Sequence, residues 1–449
     1  MEMPFQIKEL LERVENAGYK AYLVGGCVRD YVMGMQPHDF DIAVSCVPSE
    51  TARIFADCRV IETGLKHGTV TVLYKGLGIE MTTFRVDGEY RDGRHPEAVT
   101  FSENIEDDLS RRDFTINSMA YGLKSGIIDP FGGRGDIEDG IIRCVGDPDK
   151  RLTEDALRIL RALRFASRLG FSIEEGTKAA LLSHKSDLKK ISAERIFSEL
   201  QQILCGKYIK SVMLEFHEIF SVILPPLAVQ VGYDQCSKYH NSTLYEHTAR
   251  AVEAAPAEPV MRLVMLFHDM GKPQCRTDGE DGAGHYYSHA QISMKIADEL
   301  LRGFKCDNSR RATICQVVKY HDIPIDASRK YIRKKISDLG YDIFRCVMLA
   351  HIADDSAKAD FVLSRVDTER EILKIAEEIA AEKPCLTVKE LAICGNDLKS
   401  LLPPSPKMGE ILKQLLAEVV EESISNEKNA LFERAKQIID SNQQPVIRE

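Results

Sequence analysis

No apolar run in the 449 residues approaches the roughly 20 that a membrane-spanning helix needs. The opening segment, MEMPFQIKELLERVENAG, carries acids among its apolar residues and lacks a basic stretch followed by an apolar core, so it does not read as a secretory signal. The expectation is a cytoplasmic protein with no membrane partner. Closely spaced cysteines are missing too. The 12 thiols are scattered, with Cys306/Cys315 and Cys385/Cys394 the nearest pairs, which excludes a CxxC zinc knuckle and a compact disulfide framework. They read as reduced and mostly buried. Nor is basic charge in excess: Lys and Arg number 59 against 69 Asp and Glu, and the net charge of −10 argues against an extended polyanion-coating surface. Two local basic runs, Lys185, Lys189, Lys190, Arg195 and Arg329, Lys330, Arg333, Lys334, Lys335, read first as solvated helix faces. Repeats and low-complexity tracts are absent. What is present, 44% hydrophobic and 29% charged residues, is ordinary for a globular chain, and the length exceeds what one core supports. Several domains are expected.

The organising stretch runs from Ala21 to Val44, AYLVGGCVRDYVMGMQPHDFDIAV: an apolar strand, a Gly25-Gly26 turn, a short helix, then a strand carrying Asp39 and Asp41. Side chains two apart on a strand share a face, so both acids point one way while Phe40, Ile42 and Val44 anchor the other. Glu80 opens the run Ile79 to Arg85 and would bring a third carboxylate to that face. Such a set suits two Mg²⁺ ions, which take oxygen ligands and are completed by substrate phosphates. Gly25 and Gly26 let backbone approach a phosphate, Arg29 starts the following helix, and Asp30 can hold Arg29 in place. The chemistry expected is nucleotidyl transfer.

Around this stretch the spacing of Phe5, Ile7, Leu10, Leu11 and Val14 predicts a helix over 5–17 stopped by Gly18. PSETARIFADC reads as a helix, and TVTVLY and IEMTTFR as strands separated by Lys75-Gly76-Leu77-Gly78. Residues 1–145 thus form an α/β head, and the remainder is expected to be all-helical. Within RRDFTINSMAY, Arg112 can clamp a triphosphate and Asn117 can contact a sugar hydroxyl, with Arg111 and Asp113 as further polar members. Alternatively Arg112 pairs with a structural carboxylate. Thr153 to Leu169 reads as one helix with Thr153 as N-cap, and Asp155 and Arg158 lie one turn apart on it. Together they could offer one acceptor and several donors to a base edge, or form an ordinary intrahelical ion pair.

These residues resemble the class II tRNA nucleotidyltransferases and bacterial poly(A) polymerases of the polymerase β-like superfamily. GGCVRDYVMGMQPHDFDIAV is similar to the family signature, Arg111 to Ala120 to its RRDFTxNAMA motif with Ser118 where alanine is usual, and Glu154 to Phe165 to EDxxRxxRxxRF. Ser192 to Ile196 is similar to the next block. The resemblance implies that Asp39 and Asp41, with Glu80, are catalytic, and that Asp155 and Arg158 select CTP and then ATP. It further implies that Gly25, Gly26, Arg29, Arg112, Asp113, Asn117, Arg161 and Arg164 bind nucleotide. The polar segment 84–101 corresponds to a flexible loop associated with the switch from C to A addition. The activity implied is CCA addition to the 3′ end of tRNA; CC-only or A-only addition, poly(A) synthesis, and an RNA-end phosphohydrolase with a non-catalytic head are the alternatives.

In the second half, His247, His268-Asp269, His289, His321 and Asp354 form a transition-metal ligand set by type. MLFHDMGK resembles the HD-domain phosphohydrolase signature, which implies a Ni²⁺, Co²⁺ or Mn²⁺ site on His247, His268, Asp269 and Asp354, with His289 and His321 completing a second metal, positioning phosphate, or neither. Retention as a scaffold without turnover is the other reading. The division expected is a nucleotidyltransferase head (1–145), a helical neck and RNA-binding body (146–225), an HD domain (226–370) and a helical tail (371–449). Pro225-Pro226 marks one junction, and Pro403-Pro404-Ser405-Pro406 interrupts the tail.

Overall fold

The computed structural model describes residues 1–37, 39–62, 64–65, 68–88 and 99–441. They form two compact units, Met1–Ala228 and Val229–Glu449.

The first unit is built on strands β1 (Ala21–Val24), β2 (Asp41–Val44), β3 (Arg59–Ile61), β4 (Thr69–Tyr74), β5 (Leu77–Thr83), β6 (Arg85–Asp87), β7 (Val99–Phe101), β8 (Ala120–Gly122) and β9 (Gly126–Ile128). Seven of them make one sheet in the order β3-β4-β5-β2-β1-β8-β9. Only the β2–β5 pair is parallel, with Ile42 opposite Met81; the rest of the ladder is antiparallel. Alternation puts Leu23, Ile42, Val44 and Met81 on the face covered by the helix Phe5–Asn16, through Ile7, Leu10, Leu11 and Val14. Val24, Ala43 and Phe84 face the other way, against Ile105 and Leu109. Phe5 stays exposed, its ring 5.0 Å from Lys75 Nζ, because it begins the helix outside the buried stripe.

Three expectations are corrected. The β4–β5 turn is only Lys75-Gly76, both at positive φ as a two-residue hairpin turn requires, and Leu77 and Gly78 are paired strand residues. The single helix from Thr153 to Leu169 is instead two, Pro148–Glu154 and Leu157–Leu169, broken where Asp155 turns to extended backbone (φ −150°, ψ 103°). Thr153 sits inside the first of these, its hydroxyl donating to Asp149 O, so it caps nothing. Beyond residue 145 the chain is not wholly helical: Ile141-Ile142 pairs in parallel with Ser172-Ile173, and Thr277-Asp278 pairs with Gly284-His285. The segment 84–101 ends in the β6–β7 ribbon; its centre, 89–98, lies outside the described residues.

The second unit is a helical array. Thr243 and Glu246 form a reciprocal capping box that starts the helix Leu244–Ala254, fixing His247 in its first turn. Pro259 begins the helix Pro259–Phe267, which is apolar except for the buried Arg262 and delivers His268 and Asp269 from its C-terminal end. The helices Arg329–Leu339, Tyr341–Ser356 and Leu363–Ala381 close on Ile336, Phe344, Met348 and Ile372, and a separate core unites the last helices, Pro406–Val420 and Lys428–Ser441. The basic run from Arg329 is neutralised at this seam: Arg329 pairs with Glu382, Lys330 and Lys334 with Glu421, and Arg333 with Glu422.

Candidate nucleotide site and candidate metal centre

An arginine-rich cavity of about 490 Å³ opens in the first unit. Gly25 and Gly26 form its floor at the end of β1, Asp41 enters from β2, Arg112, Asp113 and Asn117 come from the segment before β8, and Asp155, Arg158, Arg161 and Arg164 come from the helix pair. The sheet register explains the carboxylates. Ile42 and Met81 are partners, so the residues before them, Asp41 and Glu80, share the opposite face. Asp39 lies in the extended segment just before β2 rather than on the strand. Asp41 loses solvent on its protein side, and this raises its carboxyl pKa; the charges of Asp39 and Glu80 raise it further while Arg112 opposes them. Mutual repulsion of hard oxygen donors is relieved by divalent cations, so Asp39, Asp41 and Glu80 fit Mg²⁺. Among the described residues only Asp41 of the three lines the cavity itself.

The guanidiniums of Arg29, Arg112 and Arg161 are held from behind. Arg29 donates to Asp30 at 2.7 Å and to Asn117 Oδ1 at 2.8 Å. Arg112 pairs with the structural carboxylate of Asp108 at 3.1 Å, and its Nη1 approaches to 3.0 Å of where a Gly25 Cβ would lie. Arg161 donates to the buried Asp113 at 2.7 Å. Burial alone would raise the Asp113 carboxyl, but Arg161 and then Arg158 outweigh it and hold it at about 2. Asp113 also accepts from Phe114 N and Asn117 Nδ2, so it positions the site rather than facing a ligand. Fixed, oriented guanidiniums are what a polyphosphate site needs.

Asp155 and Arg158 do not pair with each other. Arg158 is buried and donates to Glu154 at 2.6 Å, Arg151 O and Arg111 O. Asp155 receives Leu157 N on Oδ1 and Arg195 on Oδ2 at 2.7 Å. Arg195, from the helix Ala193–Leu204, and Phe165 are cavity residues that motif spacing did not single out for the site. Three guanidiniums, those of Arg29, Arg161 and Arg164, pack around Phe165 at 5.3, 5.7 and 4.9 Å.

In the second unit all the expected ligands converge. His247, His268, Asp269 and Asp354 form one cluster, and Asp269, His289 and His321 a second that shares Asp269. His247 Nε2 and His268 Nε2 lie 3.3 Å apart, as do His289 Nε2 and His321 Nε2. The opposite ring nitrogen of each faces a backbone carbonyl: Met265 for His268 (2.6 Å), Tyr286 for His289 (2.8 Å), Val318 for His321 (2.7 Å) and Ala357 for His247 (3.4 Å). A carbonyl can only accept, so each Nδ1–H donates to it and each ring, when neutral, turns its Nε2 lone pair inward, as metal ligation requires. Asp269 Oδ2 lies 2.6 Å from Lys272 Nζ and 3.2 Å from His268 Nε2, and Asp354 Oδ1 lies 2.9 Å from His247 Nε2, so buried carboxylate oxygens and imidazole nitrogens converge on one space. The residues fit a divalent transition metal. Gly271 makes the convergence sterically feasible, since a Cβ there would stand 2.5 Å from His289 O and 2.7 Å from Ser293 N.

Residues 21–143 match a family model described as the poly A polymerase head domain. Residues 170–230 match a probable RNA- and SrmB-binding site of polymerase A, and 286–435 match a putative tRNA nucleotidyltransferase domain 2. A CCA-adding enzyme of Lactiplantibacillus plantarum is 33% identical over 452 residues, covering 97% of this chain and 96% of the relative. The chain belongs to the CCA-adding enzyme family. The CCA-adding enzyme of Leuconostoc mesenteroides is 34% identical over 433 residues, with 96% of each chain covered. The crystal structure of the Bacillus stearothermophilus CCA-adding enzyme in complex with CTP shares the fold at a TM-score of 0.76 and 28% identity, covering 99% of both chains. The nucleotidyltransferase fold of the head implies a divalent metal, and no helix of the described residues is long and apolar enough to cross a membrane.

Proposed function

We propose that the chain adds CCA to the 3′ end of tRNA from CTP and ATP, with Mg²⁺ held by Asp39, Asp41 and Glu80. The observation that supports this reading is that Asp41, Asp155 and Arg158 line one cavity together. Bound Mg²⁺ would lower the pKa of the attacking hydroxyl and neutralise the departing pyrophosphate. Arg112, Arg161 and Arg164 receive the phosphates, and the Gly25-Gly26 turn admits them close to backbone. Asp155 accepts from an exocyclic amine, which cytosine and adenine have and uracil and guanine lack at that position. Its Arg195 contact fixes which oxygen is offered. The buried donors of Arg158 must exchange a protein partner for a base to use them. The finer division into head, neck and RNA-binding body, HD domain and tail accompanies this proposal. The test is incubation with tRNA lacking its CCA, Mg²⁺ and CTP, ATP or both. Incorporation of C, C and A is expected; C-only or A-only products would reduce the protein to a partial enzyme, and none would refute the reading.

A second reading rests on the inward-facing imidazoles. We propose that His247, His268, Asp269 and Asp354 hold one metal ion and Asp269, His289 and His321 a second, serving hydrolysis of phosphate esters at RNA ends. Metals bound there would supply charge stabilisation for attack of water on phosphorus. Phosphate release with Ni²⁺, Co²⁺ or Mn²⁺ tests it, and activity surviving in His268→Ala/Asp269→Ala would assign it elsewhere.

A further inference from the structure

A cavity of about 370 Å³ adjoins both ligand clusters of the second unit, with His321 and Asp354 in its wall. Arg365, Thr368, Glu369 and Ile372, one face of the helix Leu363–Ala381, form another wall. His351 Nε2 and Glu369 Oε2 are buried there without a hydrogen-bond partner among the described residues. Polar groups buried in this way are normally satisfied, so their presence points to a polar occupant. Arg365 makes no ion pair among the described residues; its guanidinium carbon lies 5.4 Å from the ring centroid of Tyr239. Tyr239 in turn packs on Phe361 with centroids 5.8 Å apart, and the two rings are 37% and 57% exposed. Lys238 Nζ stands 5.3 Å from the same tyrosine ring. Lone exposed aromatics are commonplace. Two in contact, flanked by two cations, beside a cavity that reaches metal ligands, are not. The platform is also tied to those ligands through the backbone: Ala359 N donates to Tyr239 O at 3.0 Å, and two residues earlier Ala357 O faces His247 Nδ1.

We propose that this cavity takes a nucleoside phosphate ester, its base stacked at the Tyr239–Phe361 pair and its phosphate drawn past Arg365 toward the Asp269/Asp354 clusters. The proposal rests on the reading of those clusters as a phosphohydrolase centre, and goes beyond it in assigning what recognises the base. Aromatic faces accept any base, so the recognition is of a nucleotide rather than of one sequence. The rim cations match the ester's negative charge, and Arg365 can also cover the exposed face of a stacked base.

The full chain, loaded with Mn²⁺, is given adenosine 3′-monophosphate, an RNA oligonucleotide ending in a 3′-phosphate, and the base-free ester glycerol 2-phosphate. Tyr239→Ala/Phe361→Ala is expected to raise KM for a base-bearing substrate about 10-fold, with kcat held within about twofold and glycerol 2-phosphate unaffected. Arg365→Ala should raise KM for all three, and Arg365→Lys should restore part of the loss. The mononucleotide and oligonucleotide arms distinguish a free nucleotide from an RNA end, the source being the one whose kcat/KM falls more. Equal effects on the base-free ester, or none on either nucleotide arm, would overturn the proposal while leaving the phosphohydrolase reading intact. No hydrolysis of any substrate with Mn²⁺, Co²⁺ or Ni²⁺ would overturn that reading instead. Calorimetric titration with adenosine 3′-monophosphate then decides the platform: it stands if the unmodified chain binds about 10-fold more tightly than Tyr239→Ala/Phe361→Ala, and falls if the isotherms coincide.

Discussion

Gly25 concentrates several constraints in one residue. Its backbone (φ 74°, ψ −134°) lies where a side chain is strained, and a Cβ would meet Arg112 Nη1 at 3.0 Å and Asp41 Oδ2 at 4.0 Å. Gly25→Ala is expected to cost ~1–3 kcal/mol of stability and to raise the KM for CTP and ATP, as thermal melting and initial-rate measurements would show. Asp113 carries a different kind of constraint. Its folded carboxyl is held at about 2, below the ~3.9 of an unfolded Asp, so its contribution is fully present above the unfolded value and is lost as pH falls toward 2. The two values imply ~3 kcal/mol. Asp113→Asn should lower the urea midpoint at pH 7, and the gap from the unmodified chain should narrow below about pH 4.

Elements place these residues, and here the legibility of the sequence divides. Period-two alternation exposed the Asp41 face of β2, and the parallel partner β5 does bring Glu80 to it, because strand registry follows from apolar residues that must share a core face. The Asp155/Arg158 pair was legible as a motif but misplaced in geometry. Helical spacing directs Asp155 to Arg158, whereas the break after Glu154 swings Asp155 to Arg195, 40 residues on, a contact no local pattern contains. Gly271 was hidden for the same reason: its close approach to His289 and Ser293 is a property of two helices meeting, and only the His-Asp pair beside it shows in the sequence. Arg195→Ala should therefore relax discrimination against UTP and GTP more than it slows CTP addition, with Arg195→Lys partly restoring it, as competition assays with mixed nucleotides would measure. Gly271→Ala should push the helix beginning at His289 away from Asp269, leaving the protein with one tightly held metal equivalent instead of two by elemental analysis after dialysis.

At the scale of the whole chain, two donor sets of opposite character occupy separate compact units. The head offers exposed carboxylate oxygens, which suit a labile, hard cation that arrives with the nucleotide; the second unit offers buried imidazoles braced by carbonyls, which suit a resident transition metal. The difference in donor type and burial predicts a difference in how each activity responds to metal removal. After chelation and exhaustive dialysis, Mg²⁺ alone should restore full CCA addition at once, because Asp39 and Asp41 are open to solvent. Phosphate-ester hydrolysis should stay absent with Mg²⁺ and return, over minutes or longer, only with Mn²⁺, Co²⁺ or Ni²⁺. His268→Ala/Asp269→Ala should abolish the second activity and leave incorporation of C and A within about twofold, because the nucleotide cavity is walled by residues of the first unit alone. Simultaneous loss of both activities in that variant, with its helical content intact by circular dichroism, would show that the centres are coupled and that the division of labour between the units is wrong.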